Sequence, residues 1–267
     1  MSKSGLEGMQ LATNDILAVA RTLTGTEWTA PSAAQGWSVK DVVAHAGNLL
    51  GVVIDAVNGQ LKTPDGMGIE ELNDVQVARR RDRSPNETMD FLEKQLAQAL
   101  PLFTALQEEP LASNEAALLD LGSYPLHTIV DMFTFDFTTH LHLDILAPRG
   151  PIHRTTEPLD EAHLGPSVSW LLGGIPKMQP DLWRRLAGPL TLELTGPAAR
   201  SVVLNPTGSA ITVTPAQDHH EQVLATVRST TTDMLAWSTT RAPWRDLVAV
   251  DGDQTVAATF LDTLNLT

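Results

Sequence analysis

The sequence predicts two domains, an amino-terminal helical bundle followed by a small α+β domain, on three observations. The chain has 267 residues, and single hydrophobic cores usually stop growing at roughly 250 residues. Over the first half, apolar residues recur at helical spacing and capping signals divide the stretch into four principal helices. Towards the carboxyl terminus the pattern changes to the period-two alternation of strands. The expected boundaries are 1–150 for a four-helix bundle, 151–185 for a linker and 186–267 for the α+β domain.

The first helix is expected from about Met9 to Leu23, with Leu11, Ile16, Leu17, Val19 and Ala20 on its apolar side. Thr24 to Gly36 is rich in Thr, Pro and Gly and reads as a loop carrying Trp28. Ser38 then reads as an N-cap, with Asp41 as the acidic partner of a capping box. The helix it starts runs to about Asn58 on a stripe of Val39, Val42, Val43, Ala46, Leu49, Leu50 and Val53. His45 falls at the edge of that stripe, placed to reach between helices without sitting in the core. A lone histidine there is more often structural than a ligand.

Residues 61 to 83 read as a polar connection ending in Arg79-Arg80-Arg81-Asp82-Arg83, a basic run that in so acidic a chain reads as a solvated helix end or local counter-charge. Ser84-Pro85-Asn86-Glu87 is a strong helix start, and the helix continues through Leu100 with Pro101 as a possible break. After a polar stretch to Gly122, Pro125 begins a helix over Leu126 to Leu146. From Pro148 to Pro180 the chain reads as a loop-rich passage between domains. Strands are expected at Leu190 to Thr195, Ser201 to Leu204, Ile211 to Thr214 and Leu247 to Val250, and helices at about Thr230 to Thr239 and Thr255 to Leu264. A largely antiparallel sheet fits this better than a Rossmann unit, because no G-x-G-x-x-G or P-loop is present.

Composition limits the chemistry. A hydrophobic content of 42% allows a normal core, and a net charge of -14 argues against nucleic acid or an anionic membrane surface as partner. There is no cysteine, which excludes disulfides, Cys-ligated zinc and a protein thiol nucleophile. Thiol chemistry would need a thiol from outside. Met1 to Gly8 lacks an apolar signal core, and no stretch approaches about 18 uninterrupted apolar residues, so the expectation is a soluble, cytoplasmic protein without membrane insertion.

The chemistry-bearing stretch is Asp136-Phe137-Thr138-Thr139-His140. On an α-helix, Asp136 and His140 lie about 40° apart, on the face that carries Ile129, Met132, Phe133 and Leu143. Ionisable groups on an apolar face need a partner. A metal ion is one; a simple helical Asp–His pair is the commoner one. The opposite face is the more polar, with His127, Asp131, Thr134, Thr138 and His142, and its own pair, His127 and Asp131, points away from the first.

Gly36-Trp37-Ser38-Val39-Lys40-Asp41-Val42-Val43-Ala44-His45 resembles the first metal-ligand helix of the mycothiol-dependent maleylpyruvate isomerase family, within the DinB-like superfamily. Phe135-Asp136-Phe137-Thr138-Thr139-His140 resembles its second ligand helix. The region from Leu190 through Trp237-Ser238-Thr239-Thr240-Arg241 to Val250-Asp251-Gly252-Asp253 resembles the sterol-carrier-like domain often fused behind it. The resemblance implies a divalent metal, zinc, held by His45, Asp136 and His140, and Arg241 as a residue that binds the thiol cofactor or an acidic substrate and serves catalysis. Two positions depart from the family pattern. Asp136 stands where its best-known members have glutamate, and Leu143 stands where many have an aspartate, with Asp144 one residue later as a residue that could steady a ligand.

Two imidazoles and one carboxylate leave zinc an open fourth position, the pattern of a catalytic site. An external thiol, mycothiol or a similar one, activated there could attack a small electrophile and give either a conjugate or, after bond rotation and expulsion, an isomer. The expected activity is therefore a zinc- and thiol-dependent transferase or isomerase. A non-catalytic protein binding a lipid or other small molecule, and a metal-free biosynthetic enzyme on the same fold, are the alternatives.

Overall fold

The computed structural model describes residues 3–64 and 66–266. It divides into two compact units, 1–158 and 159–267. The first is helical and the second is built on a sheet.

In the first unit, α1 (Lys3–Ala20) leads to the single-turn α2 (Gly25–Trp28), inside the stretch expected to be a loop. The capping box predicted at Ser38 is present: Asp41 N–H donates to Ser38 Oγ at 3.2 Å, and Ser38 N–H donates to Asp41 Oδ2 at 2.9 Å. It opens α3 (Val39–Val57). The stretch expected to be a plain connection contains α4 (Ile69–Ala78), whose Leu72 and Val77 are buried. These two apolar anchors supply the packing that its weakly periodic sequence does not advertise. Ser84 and Glu87 form the expected box at the start of α5 (Pro85–Ala105), which runs through Pro101. Ser84 N–H and the Ser84 hydroxyl hold the Glu87 carboxyl below its ordinary range.

A two-stranded antiparallel hairpin, β1 (Glu115–Ala117) and β2 (Ser123–Pro125), follows where only a polar stretch was expected. The long helix predicted from 126 to 146 is three segments. A 3-10 turn over Leu126–Thr128 leads into α6 (Ile129–Thr139), and the chain then widens into a π-helical turn over His140–Ile145. Its second face is not a solvated one. Asp131, Thr134 and Thr138 are as buried as Phe133 and Phe137, so the helix is enclosed all round.

α3 packs along α5 and α4, while α1 packs on α6 and α5. Four long helices are present, but α4 and the short α2 make the unit more than the four-helix bundle predicted. Phe103, Phe133 and Phe137 form an edge-to-face aromatic cluster, with ring centroids 4.8 and 5.7 Å apart.

The second unit begins with α7 (Glu161–Met178), capped by Asp160, whose Oδ1 accepts from the N–H groups of Ala162 and His163. This helix lies in the stretch predicted to be loop-rich. Pro166, Pro176 and the Gly173-Gly174 pair read as breakers, yet Leu164, Val168, Leu171 and Ile175 are fully buried, and that burial outweighs local propensity. Then come β3 (Leu190–Thr195), β4 (Arg200–Pro206), β5 (Ile211–Pro215), β6 (Ala225–Thr230), α8 (Thr231–Ser238), β7 (Ala249–Gly252) and α9 (Gln254–Thr263).

The strands form one sheet in the order β5-β4-β3-β6-β7. β3 pairs with β6 in parallel, with Leu190 opposite Ala225, and the other three pairings are antiparallel. The sheet is thus mixed, with the antiparallel majority expected. β6 was not foreseen: Ala225, Val227 and Ser229 alternate inward, but polar Thr226, Arg228 and Thr230 dilute the signal. Among the described residues no helix is long and apolar enough to cross a membrane.

Candidate metal centre

The first unit brings His45, Asp136 and His140 together. His45 comes from the second turn of α3, and it is 1% exposed, deeper than its place at the stripe's edge implied. Asp136 comes from the last turn of α6 and His140, four residues on, from the start of the π-helical turn. His45 Nε2 lies 3.2 Å from Asp136 Oδ2 and 3.5 Å from Oδ1, and His140 Nε2 lies 3.6 Å from Oδ1. One ligand atom from each of the three lies within 4.8 Å of the others. The short arm of aspartate therefore reaches both imidazoles.

The protonation of His140 follows from its other nitrogen. His140 Nδ1 is 2.8 Å from Asp144 Oδ2, and the second Asp144 oxygen accepts from Arg149 Nη1. A carboxylate paired with an arginine is ionised and only accepts, so Nδ1 carries the proton and donates it to Asp144. In the neutral tautomer, the Nε2 lone pair then faces the Asp136 carboxylate. Two electron-rich groups held in this way need a proton or a cation between them.

A metal ion fits that arrangement. Zinc bonds of about 2.0–2.1 Å to nitrogen and oxygen put tetrahedral ligand atoms about 3.3 Å apart, close to the 3.5 and 3.6 Å between Asp136 Oδ1 and the two imidazole nitrogens. The donor set is two imidazoles and one carboxylate, and the His140–Asp144 hydrogen bond is the outer support that metal-bound histidines generally have. His45 differs: among the described residues its buried Nδ1 has no hydrogen-bond partner. Asp136 and His140 keep some exposure, with side chains 20% and 12% accessible, so the centre is open on their side and closed on that of His45.

Trp37 completes the wall. It sits just before the Ser38 cap, its indole N–H donates to Asp74 Oδ1 of α4 at 2.8 Å, and its ring packs on both imidazoles, with centroids 5.0 Å from His45 and 6.0 Å from His140. The ring is nearly parallel to His140, at 23°.

The π-helical turn places Asp144. Arg149 Nη1 also donates to Leu143 O at 2.9 Å, and Ala33 N–H donates to Asp144 O at 2.9 Å. Gly150 lies against the same turn: a Cβ there would fall 2.3 Å from the carbonyl carbon and oxygen of Ile145, so no larger residue fits without moving the backbone. Asp144 is fully buried, and the steadying role suggested for it in the sequence matches its place beside His140.

Trp37 and Arg149 were missed as site residues. Trp37 had a signal, an aromatic directly before a strong N-cap on the ligand helix. Arg149 had none, since it lies in a Pro-Gly loop and acts through a turn that sequence periodicity does not mark. The pair His127 and Asp131 forms no part of this centre: His127 Nδ1 hydrogen-bonds to Ala112 O at 2.8 Å. Arg241 belongs to the second unit, in the turn after α8, with its N–H donating to Ala236 O at 2.9 Å.

Comparison with known proteins bears on the domain family and on the fold. The sequence profile of the family described as the mycothiol maleylpyruvate isomerase N-terminal domain matches residues 9–128, a span that includes His45 and stops short of Asp136. No curated protein matches the chain in sequence. Among solved structures the chain is similar to a mycothiol-dependent maleylpyruvate isomerase, with a TM-score of 0.57 and 17% identity over 93% of this chain and 92% of that one. A mutant of that isomerase gives the same values. The sterol carrier protein domain 2 of Helicoverpa armigera aligns at a TM-score of 0.30 and 13% identity, over 41% of this chain and 91% of that one, and nothing rests on that likeness. Residues 9–128 thus match the mycothiol maleylpyruvate isomerase N-terminal domain, and the chain around them has the fold of that isomerase.

Proposed function

We propose that the protein is an enzyme that holds a divalent metal, zinc, at His45, Asp136 and His140, and uses an external low-molecular-weight thiol, mycothiol, to isomerise or conjugate a small electrophile. The observation that carries this reading is the convergence of two imidazole nitrogens and a carboxylate from separate helices at ligand spacing. The match of residues 9–128 to the family supports the reaction class, and the shared fold is compatible with it.

When bound, the ion supplies a Lewis acid with an open position and the thiol supplies a nucleophile that can add to an electrophilic carbon and leave again. The chain's own groups arrange the rest. Asp144 keeps the His140 proton on Nδ1, so that Nε2 presents its lone pair. Arg149 neutralises Asp144 and holds it ionised. Trp37 fixes the planes of both rings and shields them from water. Arg241 is the residue we assign to the acidic end of the substrate or of the thiol.

Elemental analysis of untagged protein tests the metal. Near one divalent ion per chain in the wild type, lost in His140→Ala with helicity retained, is the expected result. A doubly substituted protein, His45→Ala with His140→Ala, that still held stoichiometric metal would falsify the assignment. Turnover of maleylpyruvate that depends on both metal and added mycothiol is the expected activity, and Arg241→Ala is expected to raise KM.

A further inference from the structure

The arginine run that follows α4 divides its labour. Arg81 is structural: it donates to Gly36 O at 3.1 Å and lies 3.7 Å from Asp41. Lys40 Nζ caps the same turn, donating to the carbonyls of Arg81 and Arg83 at 2.7 and 2.8 Å. The other three arginines turn elsewhere. Arg79, Arg80 and Arg83 line a cleft of about 440 Å³, together with Asn48 and Val52 of α3 and Phe91 of α5.

Two features mark this cleft as built to receive something. Arg80 is half-buried, its guanidinium carbon 3.3 Å from the Phe91 ring centroid and its Nε donating to Asn48 Oδ1 at 2.7 Å. Among the described residues its terminal nitrogens have no carboxylate partner, and burial and the nearby Arg83 weigh against its charge. Asn48 is 6% exposed and, among the described residues, its Nδ2 has no hydrogen-bond partner. With Oδ1 taken by Arg80, the amide offers donors alone. A partly desolvated cation beside an unused buried donor is a costly arrangement that an acceptor-only ligand would relieve. The exposed Asp55 lines the cleft and Glu87 pairs with Arg83 at 3.4 Å, so three guanidinium groups stand against two carboxylates and the cleft stays positive in a chain of net charge -14.

We propose that this cleft binds a small organic anion. Its carboxylate or phosphate is taken by Arg79, the terminal nitrogens of Arg80 and Asn48 Nδ2, and its carbon body lies against Val52 and Phe91. Guanidinium groups pair with either oxyanion in two-pronged fashion, which is why the two share a site. The volume falls within the range of about 300–1,000 Å³ usual for small-molecule pockets. Asn48 stands one turn along α3 from His45, but no metal-centre residue lines the cleft, and the inference does not depend on the metal.

Nitrogen-15 NMR of the full chain tests it, by following the Asn48 side-chain amide and the Gly51 N–H during titration at constant ionic strength. Inorganic phosphate, succinate and phenyl phosphate are the probes. Saturable shifts are expected, with phenyl phosphate tighter than inorganic phosphate. Saturation by succinate alone would assign the site to carboxylates, and saturation by the two phosphates alone would assign it to phosphoryl groups. Arg79→Gln, an exposed position that the fold tolerates, is expected to weaken binding roughly tenfold, and Asn48→Ala to weaken it similarly. Shifts that never saturate with any probe, or saturate equally in wild type and both variants, would overturn the proposal.

Discussion

Asp144 is fully buried, and its two oxygens serve different ends, one holding the His140 ring and the other pairing with Arg149. Asp144→Asn keeps the volume but removes the charge. Its expected effect is a loss of metal affinity of about 10–100-fold, read by competition with a chelator, the usual consequence of losing an outer hydrogen bond to a ligand. Asp144→Ala goes further, because it leaves a void and takes the carboxylate from the part-exposed Arg149, with an expected loss of about 1–3 kcal/mol in stability. Thermal or urea unfolding of the two variants separates these effects. At this scale the sequence was readable wherever a residue acts near its own helix position. His45, Asp136 and His140 stand at helical spacings that can be counted, whereas Arg149 acts on Asp144 from beyond a proline, where no spacing rule applies. The burial of His45 was also understated, because helix geometry gives a direction and says nothing of what Trp37 lays over it.

Capping was the most legible feature of the elements. Ser38 and Ser84 begin α3 and α5 through the reciprocal bonds their sequences announce. What helices meet is less so, and the α3–α5 contact shows why. Phe91 lies over Gly47, where an added Cβ would stand 2.6 Å from the ring. Gly47→Ala is a favourable substitution by helix propensity, yet here it drives Phe91 from its place. The expected outcome is a loss of about 1–3 kcal/mol in urea unfolding, typical of an overpacked contact, accompanied by displacement of Arg80 from the ring and a weaker anion response in the cleft. The π-helical turn after α6 was illegible for a related reason. Its widening is set by contacts from Ala33, Arg149 and Gly150, all outside the helix, while the residues 140–145 themselves read as ordinary helix. π-turns of this kind are frequent at functional sites, and this one begins at His140, one of the three proposed ligands.

For the whole molecule, every residue of the metal centre lies in the first compact unit, 1–158. A fragment of residues 1–158 is therefore expected to fold alone and to bind the same quantity of metal as the full chain, measured by circular dichroism and elemental analysis; aggregation of the fragment or absence of metal would count against it. The two-part organisation was visible in the change of hydrophobic period, but the division falls at 158, and α7 belongs with the sheet. Prolines and glycines hid that helix. The chain has no cysteine and so no covalent tie between distant segments. His45 and Asp136 stand 91 residues apart. An ion gripping both would cinch that span into a closed loop and strip the unfolded chain of much of its freedom, as a disulfide does elsewhere. The reactive centre would then double as the rivet of its own scaffold, and a cell that withheld the ion would lose rigidity along with turnover.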